Sequence, residues 1–193
     1  ETKALLNALE TKFGEVELMS AESVGATIGR ELSLNALMAL GLGLVLMLVY
    51  ISFRFEWTFG VAAVCALVHN VLVVVGAFSI FQWEINTPFI ASILTVVGFT
   101  INDTIVVFDR VRENMRGTRK PDYLTLLNKS ILQVLNRSIN TVLTAVITLL
   151  ALLILGGATI KFFVIAMLIG FVVGAYTSIC IASPLWYEIK KAA

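Results

Sequence analysis

Val96-Val97-Gly98-Phe99-Thr100-Ile101-Asn102-Asp103-Thr104-Ile105-Val106-Val107-Phe108-Asp109-Arg110-Val111-Arg112-Glu113-Asn114 begins as an apolar helix and ends as a basic loop. A carboxylate is set inside its apolar part. Asp103 stands about 9 Å of helix rise, at about 1.5 Å per residue, before the next charge, Asp109. An ionised carboxylate at mid-bilayer costs about 2.5–3.5 kcal/mol or more. Something nearby must offset that cost.

The chain around this stretch has 193 residues, of which 59% are hydrophobic and 14% charged. Its mean hydropathy is +0.93. A soluble domain carries about 25% charged residues, so this is an integral membrane protein. The net charge of +1 says little, and no basic run or RNA-type motif suggests nucleic acid. Cys65 and Cys180 lie in apolar runs and read as buried small hydrophobes, not as a disulfide or a metal site. No nucleophile–base arrangement, phosphate-binding glycine loop or metal-ligand spacing is present. ATP use is not expected, nor an enzyme activity, nor any cofactor. The chain opens at Glu1 without methionine or signal peptide, and reads as part of something longer.

Residues 1–30 are the only soluble-looking part, with Leu5, Leu6 and Leu9 at helical spacing and a possible short strand at residues 16–19. About thirty residues cannot bury a core, so they are read as the trailing remnant of a soluble α+β domain. Residues 31–189 form the membrane bundle, an all-α fold of five spans at about 32–51, 58–81, 88–108, 139–155 and 162–186. Each is long enough for a hydrocarbon core of about 30 Å. Pro88 suits the first turn of the third span, and Gly117 and Pro121 punctuate the connection after it. Leu124, Leu127, Ile131 and Leu135 predict an interfacial amphipathic helix over about 121–135. Trp186 and Tyr187 read as an interface belt.

The basic residues set the orientation. Arg54, Arg110, Arg112, Arg116, Arg119, Lys120, Lys129, Arg137, Lys190 and Lys191 fall on one side. Lys3, Lys12, Arg30 and Lys161 fall on the other. The richer side is cytoplasmic, which leaves the N-terminal remnant outside and the C-terminus inside.

On the third helix Ser92, Thr95, Gly98, Asn102 and Asp103 share an arc of roughly 140° at about 100° per residue. Lipid cannot satisfy this side, so it must face protein or water. The fourth span offers a partner: Arg137, Thr141, Thr144 and Thr148 fall within about 60° of arc, with Asn140 beside them. Together these residues predict an acid–base pair, Asp103 and Arg137, with Asn102, Asn140, Thr141, Thr144 and Thr148 as a supporting polar path. The plainer alternative is that Arg137 snorkels to the headgroups and the threonines are packing. His69-Asn70 lies mid-span. The imidazole is either a proton carrier or, more simply, a neutral interhelical hydrogen-bonder. Gly170, Gly174, Ser178 and Ala182 form a small-xxx-small row, and Gly41 and Gly43 are read the same way, as packing. Asp109 and Arg110 read as a helix-end pair.

The run from Val97 to Asn114 closely resembles the signature of the SecF family of bacterial protein-export membrane proteins, which work with SecD. Leu135-Asn136-Arg137-Ser138-Ile139-Asn140-Thr141 resembles the second signature of that family. So do Phe53-Arg54-Phe55-Glu56-Trp57 and Gly156-Gly157. The resemblance covers the chain from about Val16 onward. It implies the resistance–nodulation–division superfamily and spans two to six of a six-span half, with the remnant belonging to a periplasmic domain. It also implies a multi-pass protein of the bacterial inner membrane. There SecD and SecF use the proton-motive force to help draw preproteins out of the SecYEG channel, with protons as coupling ion. The family's intramembrane aspartate falls on Asp103 and its arginine on Arg137. The expected partners are SecD, SecYEG, the preprotein and lipid. Two departures stand out: members commonly have His-Asp where this chain has His69-Asn70, and Gly25-Ala26 replaces a usual glycine-proline. The alternatives are a proton-coupled small-molecule exporter of the same superfamily, or a passive scaffold in which Asp103 and Arg137 are a structural lock.

Overall fold

The computed structural model describes residues 11–12, 14, 26–116 and 122–192. The chain divides into two compact units, Glu1–Asn35 and Ala36–Ala193, and the features below lie in the second. The expected strand at residues 16–19 and the connection at residues 117–121 fall outside the described residues. Those described are helical, without strands. Five segments are long and apolar enough to cross a membrane, in agreement with the five spans read from the sequence. In chain order the helices are α1 (Ala26–Arg54), α2 (Trp57–Ile80), α3 (Thr87–Arg116) and α4 (Tyr123–Leu155). A 3₁₀ turn (Ala158–Ile160) leads to α5 (Lys161–Thr177), a π turn (Ser178–Ala182) and α6 (Ser183–Ala192).

Several boundaries follow from local chemistry. Asn86 Oδ1 accepts the Phe89 amide at 3.1 Å and starts α3, with Pro88 in the first turn where its missing N–H costs nothing. Asp122 caps α4 by accepting from the Leu124 amide at 3.2 Å and the Thr125 hydroxyl at 2.6 Å. From that cap α4 runs unbroken to Leu155. The interfacial helix expected at 121–135 and the span expected at 139–155 are one 33-residue helix, because nothing between Leu135 and Ile139 breaks it. The end of the 96–114 stretch, expected as a loop beyond 108, is likewise helical, since α3 continues to Arg116 with no glycine or proline to stop it. The last span, in contrast, is interrupted by the π turn.

The bundle is built around α3, which packs against α2, α4, α5 and the π turn. Small residues make the approach possible. A β-carbon at Gly170 would run into the Val96 side chain, and one at Gly174 into the Thr100 hydroxyl. Ser178 and Ala182 continue the row and are fully buried. In lipid, helix association rests on such close contact and on interhelical hydrogen bonds. Aromatic clusters close both ends. Phe59 stacks on Trp186 at 4.8 Å and meets Phe108 at 4.9 Å, while Phe78 meets Phe89 at 4.4 Å and Trp83 at 5.2 Å.

Three expectations are corrected here. Trp186 is no interface-belt residue: it is fully buried, because α6 turns its indole onto Phe59. Cys65 and Cys180 are free thiols, as expected, but they lie exposed on the helix surface. Gly41 and Gly43 have nothing within 4 Å of a built β-carbon, since α1 meets α2 mainly near its end. There Gly60 approaches Ser52 so closely that a β-carbon would stand 2.6 Å from the hydroxyl.

Candidate functional site

Asp103 lies less than two turns of α3 before Asp109, the start of the charged end, and is 7% exposed. The surroundings on its helix are Thr100, Ile101, Thr104 and Val107, all buried. Its direct partner comes from α4: the Ser138 hydroxyl donates to Oδ1 at 2.7 Å. Ser138 is itself 1% exposed, on the face of α4 that also buries Val134 and Val142. The second carboxylate oxygen, Oδ2, is buried with no hydrogen-bond partner.

Arg137 is the next residue back from Ser138 and is exposed, near enough to Asp103 for its charge to be felt there. The two are not in direct ionic contact. Among the described residues the ion pairs within 4.0 Å are Arg110–Glu113 and Lys190–Glu56. Arg110 therefore pairs with Glu113 rather than with its neighbour Asp109, and its Nε also donates to Gln133 at 2.6 Å. Arg137 lines a groove of about 650 Å³ between α1, α3 and α4, together with Arg54, Asp109, Arg110, Glu113 and Gln133. This groove lies toward the charged end of the bundle. There Arg112 donates to the Arg54 carbonyl at 3.1 Å and Lys190 reaches Glu56.

The remaining residues of the expected path lie apart from Asp103. Asn102 of α3 and Asn140, Thr144 and Thr148 of α4 are each exposed. The Thr141, Thr144 and Thr148 hydroxyls donate to the Arg137, Thr141 and Thr144 carbonyls of their own helix. The arc on α3 divides likewise: Ser92 and Asp103 face inward, while Thr95, Gly98 and Asn102 face out. With those hydroxyls satisfied inside the helix, the exposed side-chain amides of Asn102 and Asn140 are the polar groups of this set that lipid cannot satisfy.

A second polar chain, behind Asp103, is fully internal. Asn70 Nδ2 donates to the Thr100 hydroxyl at 2.8 Å and to the Gly170 carbonyl at 3.2 Å. One turn on, Thr104 and Ser178 join hydroxyl to hydroxyl at 2.8 Å. His69 Nδ1 stands 3.3 Å from the Thr177 hydroxyl, the interhelical hydrogen bond that was the simpler of its two readings. Sequence reasoning overlooked Ser138 and Thr104. The available signal was a serine at the i+4 position between Val134 and Val142, an apolar stripe with one hydroxyl in it.

Comparison with known proteins bears on the family and the fold. The family model described as protein export membrane protein SecD/SecF, C-terminal, matches residues 4–192. The chain belongs to this family. It is 48% identical over 193 residues to protein translocase subunit SecF of Sebaldella termitidis, covering 99% of the chain and 62% of that relative. It is 46% identical over 178 residues to protein translocase subunit SecDF of Thermus thermophilus, covering 91% of the chain and 24% of the relative. The chain thus spans less than two thirds of the length of these relatives. A SecDF crystal structure from Thermus aligns with a TM-score of 0.89 at 43% identity, over 98% of this chain and 26% of that one. A second, of SecDF in a super-membrane-facing form, aligns at 0.84 and 39%, over 99% and 26%. The chain is thus related to protein translocase subunits, and its five long apolar helices make it a multi-pass membrane protein.

Proposed function

We propose that this chain supplies the membrane part of a SecF-type subunit that, with SecD, uses the proton-motive force to assist preprotein movement through SecYEG. Asp103 carries the proton, and Arg137 supplies the opposing charge. The observation that carries the reading is Asp103 itself: a carboxyl group buried in a membrane helix, with one oxygen held and the other free of any partner. Intramembrane carboxylates that face protein characterise proton relays. Each charge crossing the membrane potential releases about 2.3 kcal/mol per 100 mV, which is the energy a cycle at Asp103 would use.

The exposed Asn102 and Asn140 amides on membrane-length helices support a second membrane half as partner. A SecD-type half with its own polar face suits them. The groove beside Arg137 gives the cytoplasmic side access to the neighbourhood of Asp103 if the arginine-rich end faces the cytoplasm, as the positive-inside rule requires. That orientation puts the N-terminal part in the periplasm and the C-terminus in the cytoplasm of a bacterial inner membrane. The test is export into inverted vesicles by the full-length subunit in complex with SecD. Asp103→Asn should leave insertion and complex formation intact and abolish the response to an imposed proton gradient. A variant that still responded fully would refute the reading and favour a passive scaffold.

A further inference from the structure

Ser138 and Asp103 form a buried pair between two helices. The serine hydroxyl donates to Oδ1 at 2.7 Å, and Oδ2 is enclosed without a partner. A hydrogen bond to an ionised acceptor is roughly twice as strong as one between neutral groups. The contact therefore favours the carboxylate over the acid, and ties α4 to α3 most firmly while Asp103 is ionised.

We propose that Ser138 is the positioning residue for proton exchange at Asp103. It pins Oδ1 and leaves Oδ2 as the atom that takes up and gives off the proton. The inference rests on the reading of Asp103 as the proton carrier. On uptake the proton bonds to Oδ2 and cancels the carboxylate charge, and the Ser138 bond weakens to a neutral one. On release the O–H electron pair returns to the carboxylate and the Ser138 bond strengthens. A serine inside a helix has an alternative acceptor, the carbonyl four residues back, here Val134. Protonation would thus let the hydroxyl turn from α3 to its own helix and loosen the α3–α4 contact.

The charged groups on the surrounding helices leave this role to Ser138. Arg137 of α4 acts on Asp103 through space and makes no hydrogen bond to it. His69 of α2 is directed at Thr177. Lys190 of α6 pairs with Glu56, and Arg110, farther along α3, with Glu113. Lys129 of α4 is exposed, and Lys161 opens α5 at the opposite end of the bundle.

The experiment is a pH titration by infrared difference spectroscopy on the full-length subunit with SecD in lipid vesicles. Asp103→Asn identifies the carboxyl band. Ser138→Ala should move the pH at which that band changes upward by about one unit, the size expected for loss of one hydrogen bond to a charged group. Ser138→Thr should restore it. Ser130→Ala, another buried serine on the same face of α4, should leave it in place. This separates donation to Asp103 from a general loosening of the helix. A band that moves with Ser130→Ala as much as with Ser138→Ala overturns the inference. So does an Asp103 band that titrates unchanged in Ser138→Ala, and the proton-carrier reading then stands. Absence of any titrating Asp103 band in the unaltered protein overturns both.

Discussion

Gly174 of α5 lies directly against the Thr100 hydroxyl of α3, with no room between them for a β-carbon. The same hydroxyl accepts from Asn70 of α2 at 2.8 Å. Three helices therefore meet at one point, one turn of α3 before Asp103.

Adding a methyl group there should be costly. Gly174→Ala is expected to destabilise the bundle by about 1–3 kcal/mol through overpacking, while Gly41→Ala and Gly43→Ala, in open surroundings, should change stability little. Reversible unfolding in mixed micelles measures both. Equal effects at all three positions would show that the Gly174 contact is not as close as described.

Asn70 links the same three helices through Thr100 and the Gly170 carbonyl. Interhelical hydrogen bonds in membranes average about 0.6 kcal/mol and reach about 1.7 kcal/mol. Asn70→Ala and Thr100→Val should therefore couple in a double-mutant cycle by an energy in that range. Strict additivity would mean the bond contributes nothing.

Under the proposed function Arg137 supplies the charge opposite Asp103, although the two form no direct ion pair. Arg137→Gln should remove gradient-driven export as completely as Asp103→Asn does, with insertion preserved. Arg137→Lys keeps the charge on a different headgroup and should retain part of it. Export assays in energised inverted vesicles decide. Unimpaired export with Arg137→Gln would remove the arginine from the mechanism.

Trp186 is fully buried against Phe59 at an interplanar angle of 11°. Trp186→Ala should cost about 3–5 kcal/mol by emptying that site. A tryptophan that merely anchored the helix in the headgroup layer would cost far less. Thermal unfolding of the purified complex separates the two.

Asp122 sits outside the spans at the start of α4. Its carboxyl is held below the ordinary value of about 3.8, chiefly by the Thr125 hydroxyl and further by the Leu124 and Thr125 amides. A carboxyl with a depressed value in the folded state stabilises fully above its unfolded value, and the contribution is lost as pH falls through the folded one. Hydrogen exchange in the first turn of α4 should therefore speed up relative to the helix interior as pH is lowered from 5 toward 3, after correction for intrinsic rates. Asp122→Ala should show that faster exchange already at neutral pH.

Much of the architecture was legible in the chain because apolar runs of span length have few alternatives in lipid. The five spans, the start of α3 near Pro88 and the contact row Gly170–Gly174–Ser178–Ala182 all follow from composition and spacing. Asp103 stood out for the same reason, as a charge where hydrocarbon penalises one. What failed was the choice of face. Ser92 and Asp103 turn inward and Asn102 outward although all three share one arc, because a helix of this kind is enclosed on more than one side. The hydroxyls of Thr141, Thr144 and Thr148 were assigned to a path, yet each has a carbonyl of its own helix within reach. Ser138 was hidden because one serine among apolar residues has no periodic signal of its own. The burial of Trp186 depends on the local geometry of the last span, where a π turn precedes α6, and no residue in Ser178–Ala182 announces that turn.

The exposed Asn102 and Asn140 have a consequence for biogenesis. A copy inserted with nothing covering them would present side-chain amides to acyl chains that cannot bind them. Such an orphan would cling to unrelated helices or be extracted by quality-control proteases. Under the proposed pairing with a SecD-type half, balanced synthesis of the two, or their fusion into one polypeptide, would remove that hazard at its source.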